Sequence, residues 1–335
     1  MSDIKFYAAP MEGITGYTYR TVHGSCYPGT DLYFSPFISP NQHHGVNPKE
    51  KRDISPKNNQ GIHLIPQILT NKSDFMLSAA GELKTVYGYE EVNLNLGCPS
   101  KTVVSKGKGS GFLEDTQGLD RFFDEVFSAI DQAGGMGKDS PYPKISVKTR
   151  LGMEDTAEFE DILKVYNRYP LSELIVHPRV QKEFYKGLPH LETFAEVVES
   201  CTHSLCYNGD IWSLEDYKKI RELFPKVKKV MLGRGLIANP ELVKELQEYE
   251  KCMAKGEVWT GYRRDFRQLK RYHDKLLSGY LEQMLGDQTN TLFKMKECWV
   301  YMERQFPEQE KLIKKLKKAG KLAEYERLAE ELFAE

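Results

Sequence analysis

The sequence has no long uninterrupted apolar segment, no paired metal-binding cysteines and no excess of charge of one sign. No apolar run approaches the roughly 18 residues needed to cross a bilayer, and the N-terminal MSDIKFYAAP has neither a basic, apolar-cored leader nor an Arg-rich amphipathic stretch. We therefore expect a soluble, cytoplasmic protein without a membrane anchor. The six cysteines include no C-x-x-C pair, which disfavours a zinc or iron–sulfur centre and is typical of a reducing compartment. They are Cys26, Cys98, Cys201, Cys206, Cys252 and Cys298.

The chain carries 47 Lys and Arg against 48 Asp and Glu. This balance excludes a protein that coats nucleic acid through its overall charge, so a polyanion would have to bind a local patch. With 335 residues and 40% hydrophobic content, the chain can form one α/β barrel of roughly 250 residues and a smaller second unit.

Short apolar, β-rich runs recur along the first two thirds of the chain, each followed by a longer segment. This alternation is typical of βα units around a parallel sheet. Eight runs fit a closed (β/α)₈ TIM barrel better than an open doubly wound sheet, which usually has five or six strands. The predicted strands are Ile4–Met11, Asp31–Ile38, His63–Leu69, Glu90–Gly97, Lys144–Gly152, Glu173–Arg179, Ser204–Asp210 and Lys229–Gly235.

Two connections, residues 40–60 and 98–118, are predicted as long loops, which in a compact domain are commonly functional. Beyond the second connection, apolar residues at helical spacing predict core-facing helix stripes. The stripes are Phe122, Phe123, Val126, Phe127 and Ile130, and then Phe159, Ile162, Leu163 and Tyr166.

Strand signals cease after about Glu250, and the rest of the chain has helical periodicity, with an apolar stripe at Leu276, Leu277, Tyr280, Leu281 and Leu285. We expect a barrel domain over residues 1–245 and a helical domain over 246–335. From residue 261 onward, sixteen Lys and Arg stand against thirteen Asp and Glu, and Lys311–Lys321 has six lysines and no acid. Such a run is usually a solvated helix face; contact with RNA is the alternative.

Because barrel active sites lie at the carboxyl ends of the strands, Cys98 is the first candidate for chemistry. It follows the fourth predicted strand in NLGCP, between Gly97 and Pro99, with Asn95 beside it. A glycine on one side and a fixed turn on the other suit a side chain aimed into the barrel mouth. The alternative for a single cysteine is a buried structural thiol.

Lys148 lies on the inward face of the fifth predicted strand, where an unpaired ammonium group would be costly. It therefore needs an anionic partner. A reduced flavin, with negative charge at N1 and O2, would supply one; an ion pair with Glu12 is the alternative.

The turns NGD (208–210) and GRG (233–235) follow the seventh and eighth predicted strands, where many barrels bind phosphate through free backbone N–H groups. Arg234 adds a guanidinium that can bind phosphate oxygens at two points. In contrast, GKGSG (107–111) lacks the strand–helix context of a dinucleotide-binding loop.

The motifs APMEGIT, QIL, NLNLGCP, SVKTRLG, YNGD and LGRG, in this order and at these separations, resemble those of the tRNA-dihydrouridine synthase family. The resemblance covers roughly residues 4–245, and the helical tail is similar in kind. GCP with KTRLG about 50 residues later is specific to that family, whereas APM and NGD occur in other FMN barrels.

The resemblance implies an FMN-dependent enzyme that reduces a uridine of tRNA to 5,6-dihydrouridine. Hydride would pass from NADPH to FMN and from flavin N5 to uracil C6, and Cys98 would donate the proton to C5. Asn95, Arg150 and Arg179 would contact the uracil or the flavin, and Lys294 and Lys296 the tRNA. FMN would be held by Pro10, Met11, Glu12, Gln67, Lys148, His177, Asn208, Gly209, Asp210, Gly233 and Arg234.

A stacked uridine cannot present C6 to a flavin, so the base must be extruded into the barrel mouth, at a cost of a few kcal/mol that phosphate contacts would offset. The chain departs from the family in the His177–Val180 segment, where a small residue, Arg and Thr usually follow the histidine, and in SPFIS at the second strand.

Two other functions stay open at this point: an FMN barrel that reduces a free pyrimidine or another small enone, and a non-catalytic tRNA-binding module. The basic helical tail disfavours the first, and the set Cys98, Lys148 and Arg234 disfavours the second. We expect a monomer; the target uridine and the preference for NADPH over NADH are not encoded in any motif.

Overall fold

The computed structural model describes residues 4–41 and 46–334. Eight parallel strands pair in chain order, and β1 pairs with β8 to close the barrel. The strands are β1 Lys5–Ala8, β2 Leu32–Ile38, β3 Leu64–Ile68, β4 Glu91–Leu96, β5 Lys144–Thr149, β6 Leu174–Val176, β7 Leu205–Tyr207 and β8 Lys229–Leu232.

The predicted barrel is confirmed, and each observed strand lies within its predicted run. Most predicted runs were longer because they included the polar residues that follow the strand. Those residues leave the hydrogen-bonded ladder and form the turns at the barrel mouth.

Fourteen α-helices are found among the described residues. They are α1 Tyr17–Cys26, α2 Pro48–Ile54, α3 Ser73–Thr85, α4 Lys101–Val104, α5 Thr116–Gln132, α6 Glu158–Tyr166, α7 Leu191–Ser200, α8 Leu214–Leu223, α9 Arg234–Ala238, α10 Leu242–Ala254, α11 Phe266–Gln283, α12 Gln288–Met302, α13 Glu310–Lys318 and α14 Leu322–Ala334. The stripes predicted on α5 and α6 are fully buried.

Both predicted long loops contain helical turns. Of the connection 40–60, residues 42–45 lie outside the described part; the remainder forms α2 and a 3₁₀ turn at Pro56–Asn59. The signal for α2 was present in the sequence, because Asn47 and Glu50 form a capping box and Pro48 occupies the first helical position. The connection 98–118 contains α4 and a 3₁₀ segment at Gly109–Glu114.

The side-chain alternation of the strands decides what faces the barrel interior. Low in the barrel, inward positions form a small apolar cluster of Tyr7, Ala9, Phe34, Ile65, Ile175, Cys206 and Met231. Two residues beyond Ile65, Ile175 and Cys206, the same parity brings the polar residues Gln67, His177 and Asn208 to the open end. Asn95 of β4 and Lys148 of β5 lie at the same end.

Helices α11–α14 form a second core that packs on α1 and α9 of the barrel. Leu242, Val243 and Leu246 of α10 belong to the barrel core, so the predicted domain boundary at 245 lies within a helix that packs on the barrel. In the predicted α11 stripe, Leu285 is the exception: it lies beyond the helix end with a φ of 53° and is 95% exposed. No described helix is long and apolar enough to cross a membrane.

Candidate active site

The backbone around Cys98 is held by the side chain of Asn95. Its Oδ1 accepts hydrogen bonds from the N–H groups of Gly97 (3.0 Å) and Cys98 (2.9 Å). Its Nδ2 donates to Gln67 Oε1 at 2.7 Å. Both ends of the Asn95 amide are therefore engaged, and the turn that carries Cys98 is anchored to the barrel interior.

Asn95 is the outer member of a buried chain of amide groups across β3, β4 and β5. Gln67 Nε2 donates to Asn93 Oδ1 at 2.8 Å, and Asn93 Nδ2 donates to Ser146 Oγ at 3.0 Å. These partners determine which end of each amide is the donor. The site therefore rests on a satisfied polar network, which fixes the orientation of Gln67 and Asn95.

Gly109 forms the other wall of the Cys98 turn. Its φ is 57°, and a β-carbon there would lie 2.8 Å from the Cys98 carbonyl oxygen. Ser110 donates to that oxygen through both its N–H (3.1 Å) and its Oγ (2.9 Å). The glycine required by close approach is thus Gly109 of GKGSG, since Gly97 has no positive φ.

The Cys98 thiol is partly exposed at the barrel mouth. Burial raises its pKa, and the Glu12 carboxylate adds to the shift, against the opposing effects of the Ser100 backbone, Arg150 and Lys148. A thiol with a raised pKa is protonated at neutral pH. Cys98 is therefore suited to donate a proton and poorly suited to act as a thiolate nucleophile.

Lys148 is half-buried, and its ammonium group pairs with no carboxylate among the described residues, Glu12 included. Desolvation and the nearby Arg150 lower its pKa to about 8. An ammonium in this state is stabilised by a bound anion. The structure disfavours the alternative of an ion pair with Glu12.

His177 is buried, and its Nε2 lies 3.0 Å from Arg179 Nη1. Desolvation and the surrounding cations, of which Arg150 acts most strongly, hold its pKa well below its usual value. A guanidinium can only donate, so Nε2 accepts and Nδ1 carries the proton of a neutral ring. His177 therefore offers an N–H donor to the barrel interior.

Arg179 was predicted to contact the substrate, but all five of its N–H groups are used within the protein. Nη1 and Nη2 bind the Asp210 carboxylate (3.1 and 2.5 Å), and Nη1 also donates to His177. Nε and Nη2 donate to the carbonyls of Lys186 and Gly187. Its side chain is fully buried, so in this arrangement it positions the turns of β6 and β7.

Arg150, like Arg179, donates its hydrogen bonds within the protein. Its three nitrogens donate to the carbonyls of Gly97 (2.9 Å), Val180 (3.0 Å) and Phe184 (2.6 Å), and it is 1% exposed. It therefore joins the Cys98 turn to the segment after β6. Val180, which stands where the family usually has Thr, is buried in the apolar core.

The turns after β7 and β8 lie against each other. A β-carbon on Gly235 would lie 2.0 Å from the Ile211 carbonyl oxygen, so only glycine permits this approach. Asn208 ties the two strands together by donating to the Met231 carbonyl at 2.8 Å. No described residue accepts a hydrogen bond from the N–H groups of Gly209, Asp210, Arg234 and Gly235.

The Arg234 side chain is held by three neighbours. It forms an ion pair with Asp210, and its guanidinium carbon is 4.6 Å from the centre of the Tyr185 ring and 5.1 Å from that of Trp212. Partial burial raises the pKa of Asp210, but Arg179 and Arg234 outweigh it and hold that pKa below its usual range. The guanidinium carbon of Arg304 also lies close to Trp212, 4.0 Å from the ring centre.

The remaining predicted contacts lie toward the helical unit. Pro10, Met11 and Glu12 form the turn after β1, and the Met11 N–H donates to Thr15 Oγ1. Lys294 donates to the Gly13 carbonyl and pairs with Glu297, and Lys296 donates to the Ala319 carbonyl.

Lys294 and Lys296 thus hold α12 in place, and each ammonium keeps at least one further N–H. In the run Lys311–Lys321, Lys314 and Lys317 pair with Glu310 and Glu303, while Ile313 and Leu316 are buried beneath them. Part of the lysine run is therefore an ordinary solvated helix face.

Sequence reasoning missed four contributors to the site: Gly109, Ser110, Tyr185 and Trp212. The GKGSG glycines were a visible signal for a tight turn. Tyr185 and Trp212 carried no local signal, because their role depends on stacking against Arg234, a residue distant from Tyr185 in sequence.

The four N–H groups and Arg234 suit the phosphate of a mononucleotide, and Lys148 with the Gln67 amide suits the ring system attached to it. An eight-stranded barrel with these residues at its carboxyl end belongs to the class of flavin-dependent barrel oxidoreductases.

Comparison with known proteins defines the family. The family model described as Dihydrouridine synthase (Dus) matches residues 7–334. The chain therefore belongs to the dihydrouridine synthase family, whose members are FMN-dependent oxidoreductases that reduce uridine in tRNA with NAD(P)H.

Similarity to individual proteins agrees with this assignment. The chain is 22% identical over 334 residues to the "tRNA-dihydrouridine(16) synthase" of Cupriavidus necator, covering 98% of this chain and 97% of the relative. It is 30% identical over 164 residues to the protein of the same name from Pseudomonas syringae pv. tomato, a match that spans 49% of each chain. Histamine dehydrogenase from Rhizobium sp. 4-9 shares the fold, with a TM-score of 0.51 and 10% identity over 73% of this chain and 46% of that one.

Proposed function

We propose that this chain reduces the C5=C6 bond of a uridine extruded from tRNA, with Cys98 as the acid that protonates C5. The observation that carries the proposal is the state of Cys98: a partly exposed thiol with a raised pKa, on a turn held by Asn95 and Gly109. FMN, when bound and reduced by NADPH, supplies the hydride for C6.

The proton and the hydride together saturate the double bond, and Cys98 is left as a thiolate that regains its proton from solvent. Lys148 would hold the negative edge of the ring system, the His177 Nδ1–H would add a neutral donor, and Gln67 would present its amide. Arg234 and the two turns would hold the phosphate. The Pro10–Glu12 turn would complete the cofactor site.

Asn95 and Arg150 act on Cys98 indirectly in this proposal, as positioning residues for its turn. We also propose that Lys294, Lys296 and Arg304 on the helical side contact the tRNA. The barrel, with α10 packed on it, would be the catalytic unit, and the helices from α11 onward would be the tRNA-binding unit. The protein would be cytoplasmic. It would also be a monomer, and light scattering of the purified protein tests this oligomeric state directly.

The test is the dihydrouridine content of tRNA from cells that lack the gene, restored with wild type, Cys98→Ala or Cys252→Ala. Cys252 is a partly exposed thiol near the C-terminal end of α10, where it donates to the Glu257 carbonyl, and it is the matched control. Because both relatives described above are named for position 16, that position is mapped first.

We expect wild type and Cys252→Ala to restore dihydrouridine, and Cys98→Ala to lose about 10²- to 10⁴-fold in rate, the usual contribution of a positioned acid. If the null strain retained every dihydrouridine and the purified enzyme reduced free enones but not tRNA, the chain would be a small-molecule reductase. If purified protein bound tRNA without a flavin spectrum, the non-catalytic alternative would hold.

A further inference from the structure

A cleft of about 260 Å³ lies beside the barrel mouth, between the ends of β1 and β2, helix α2 and the helical unit. Glu12 and Phe37 line it from the strand ends, Tyr17 from α1, Lys49 and Arg52 from α2, and Gln283 from the end of α11. Glu12 belongs to both regions, since its charge also acts on the Cys98 thiol. The cleft is therefore continuous with the site already described.

The acidic residues of α2 that border the cleft form hydrogen bonds and an ion pair with neighbouring elements, which fix the position of this wall. Glu50 accepts from the N–H groups of Ser39 and Asn47, both at 3.1 Å. Asp53 binds the buried Arg20 at 3.0 Å and accepts from the Tyr17 N–H at 2.7 Å. Their charge is thereby partly neutralised, and the wall is fixed before any ligand arrives.

The cations of the same helix divide into two groups. Lys51 forms an ion pair with Glu82 at 3.0 Å, on the side away from the cleft. Lys49 and Arg52 line the cleft, are exposed, and form no side-chain hydrogen bond or ion pair among residues 4–41 and 46–334. The charge of Lys49 acts on the nearby carboxylates of Glu12 and Glu50. Of the three cations of α2, the two available to an anion are thus the two that border the cleft, where Lys294 of α12 also lies.

Helix α11 completes the cleft from the helical unit. Thr18 of α1 donates to Gln283 Oε1 at 2.6 Å, which fixes the end of α11 against the barrel. Partly exposed aromatic rings on Tyr17 and Phe37 supply faces against which a planar base can stack. Aromatic faces beside unpaired cations are typical of sites for single-stranded nucleotides.

Resting on the proposed function, we propose that this cleft binds one nucleotide of the tRNA next to the target uridine. Extruding the uridine breaks the stacking of its neighbours, and a base stacked against Tyr17 or Phe37 regains part of that stacking. Lys49 and Arg52 contact the phosphates that flank it. The cleft thus stabilises the extruded state and contributes to the choice of target.

A nucleotide of the tRNA is favoured over the adenosine end of NADPH as the occupant. The cleft has one wall from the helical unit, whose remaining surface carries the exposed Lys315 and Lys318.

The first test compares single variants on one helix: Lys49→Ala, Arg52→Ala and the matched control Lys51→Ala. Each removes one positive charge from an exposed or half-exposed position of α2. We expect Lys49→Ala and Arg52→Ala to raise the KM for an unmodified tRNA transcript about 3- to 10-fold. Each should also reduce the salt slope of tRNA binding by about 0.7, the value for one lost phosphate contact on a single strand. Lys51→Ala should change neither.

The second test is a double-mutant cycle between protein and RNA. Phe37→Leu keeps an apolar side chain and removes the stacking face; the RNA partner is the same transcript with an abasic nucleotide on one side of the target uridine. On one of the two sides, we expect the abasic change to raise KM for wild type and to have little further effect in Phe37→Leu. Additive losses on both sides would overturn the proposal.

Other results also decide the question. Equal KM values and salt slopes for the three lysine and arginine variants would show that the cleft contacts no phosphate. Slower flavin reduction by NADPH in Lys49→Ala or Arg52→Ala, at unchanged KM for tRNA, would assign the cleft to the dinucleotide. If wild type formed no dihydrouridine in any tRNA, the proposed function itself would fail, and this inference with it.

Discussion

Asn95 accepts a hydrogen bond from the backbone N–H of Cys98 at 2.9 Å, so the proposed acid is positioned by a side chain on the strand that precedes it. The same oxygen accepts from the Gly97 N–H, and the opposite end of the amide donates to Gln67. The Cys98 turn therefore depends on the barrel interior for its shape.

Substitutions of Asn95 can separate its hydrogen bonds to the Cys98 turn from its hydrogen bond to Gln67. Asn95→Leu leaves two backbone N–H groups and the Gln67 Oε1 without partners and should destabilise the fold by about 2–4 kcal/mol. Asn95→Asp keeps the acceptor for Gly97 and Cys98 and loses the donation to Gln67. In single-turnover assays Asn95→Asp should retain more activity than Asn95→Leu; equal losses would show that the hydrogen bonds to the turn do not position Cys98.

Gly109→Ala should disturb Cys98 through contact as well as through backbone strain. Its β-carbon would lie 2.8 Å from the Cys98 carbonyl oxygen, at a φ of 57°. Gly61→Ala is the matched control, because Gly61 has a φ of 80° and no atom within 4 Å of such a β-carbon. Thermal unfolding should show a cost of about 1 kcal/mol for Gly61→Ala and a larger one for Gly109→Ala. Only Gly109→Ala should slow dihydrouridine formation. If both variants lost the same stability and the same activity, the positive φ alone would explain the loss.

Lys148→Met should stabilise the cofactor-free protein while it weakens FMN binding. Desolvation lowers the Lys148 pKa from 10.5 to about 8, so the ammonium is disfavoured in the folded state relative to the unfolded chain. Removing it should raise the free energy of unfolding by up to roughly 3 kcal/mol. The gain should be fully present below pH 8 and disappear as the pH rises toward 10.5, because the unfolded chain then no longer binds the extra proton.

Chemical denaturation of apoprotein at several pH values, beside FMN titration by fluorescence, checks both parts. A Lys148→Met apoprotein less stable than wild type at pH 7 would contradict the argument. So would unchanged affinity for FMN.

Arg179→Lys should be destabilising although it conserves charge. Five N–H groups of Arg179 are engaged, whereas an ammonium has three, so at least two acceptors lose their partner. We expect a loss of about 2–4 kcal/mol in urea unfolding. Arg327→Lys is the exposed control, in an i,i+4 pair with Glu331, and should change stability by less than about 0.5 kcal/mol. Similar values for both would show that the Arg179 network adds little.

The pH dependence of uridine reduction should follow the Cys98 thiol. Its pKa is raised, mainly by burial, so the protonated donor persists through neutral pH and into mildly alkaline solution. With enzyme reduced in advance, the single-turnover rate should stay level through neutral pH and fall only in alkaline solution as the thiol deprotonates. In Cys98→Ser the rate should not fall in alkaline solution, because the serine hydroxyl does not titrate there. If the alkaline decrease persisted in this variant, it would be due to another group.

Much of the barrel follows from the sequence alone. Eight apolar runs separated by amphipathic helices predict the strands in order, and the two-residue period of a strand places Gln67, Asn95, Lys148, His177 and Asn208 on its inward face at the open end. The short helix α2 was also encoded, in the capping box of Asn47 and Glu50. These features are local, so they can be predicted without knowing which strands meet.

Only the tertiary structure decided which of the polar residues remain available to a ligand. The guanidinium groups of Arg179 and Arg150 are chemically suited to bind a substrate. In the structure, however, they donate their hydrogen bonds to carbonyls and a carboxylate of other turns. Lys49 and Arg52 are unremarkable in sequence and lie at a cleft because α2 and α11, more than 200 residues apart, meet beside β1. Whether a hydrogen-bond donor is already paired or free to bind a ligand depends on residues that packing brings together from distant parts of the chain. A local sequence pattern does not contain that information.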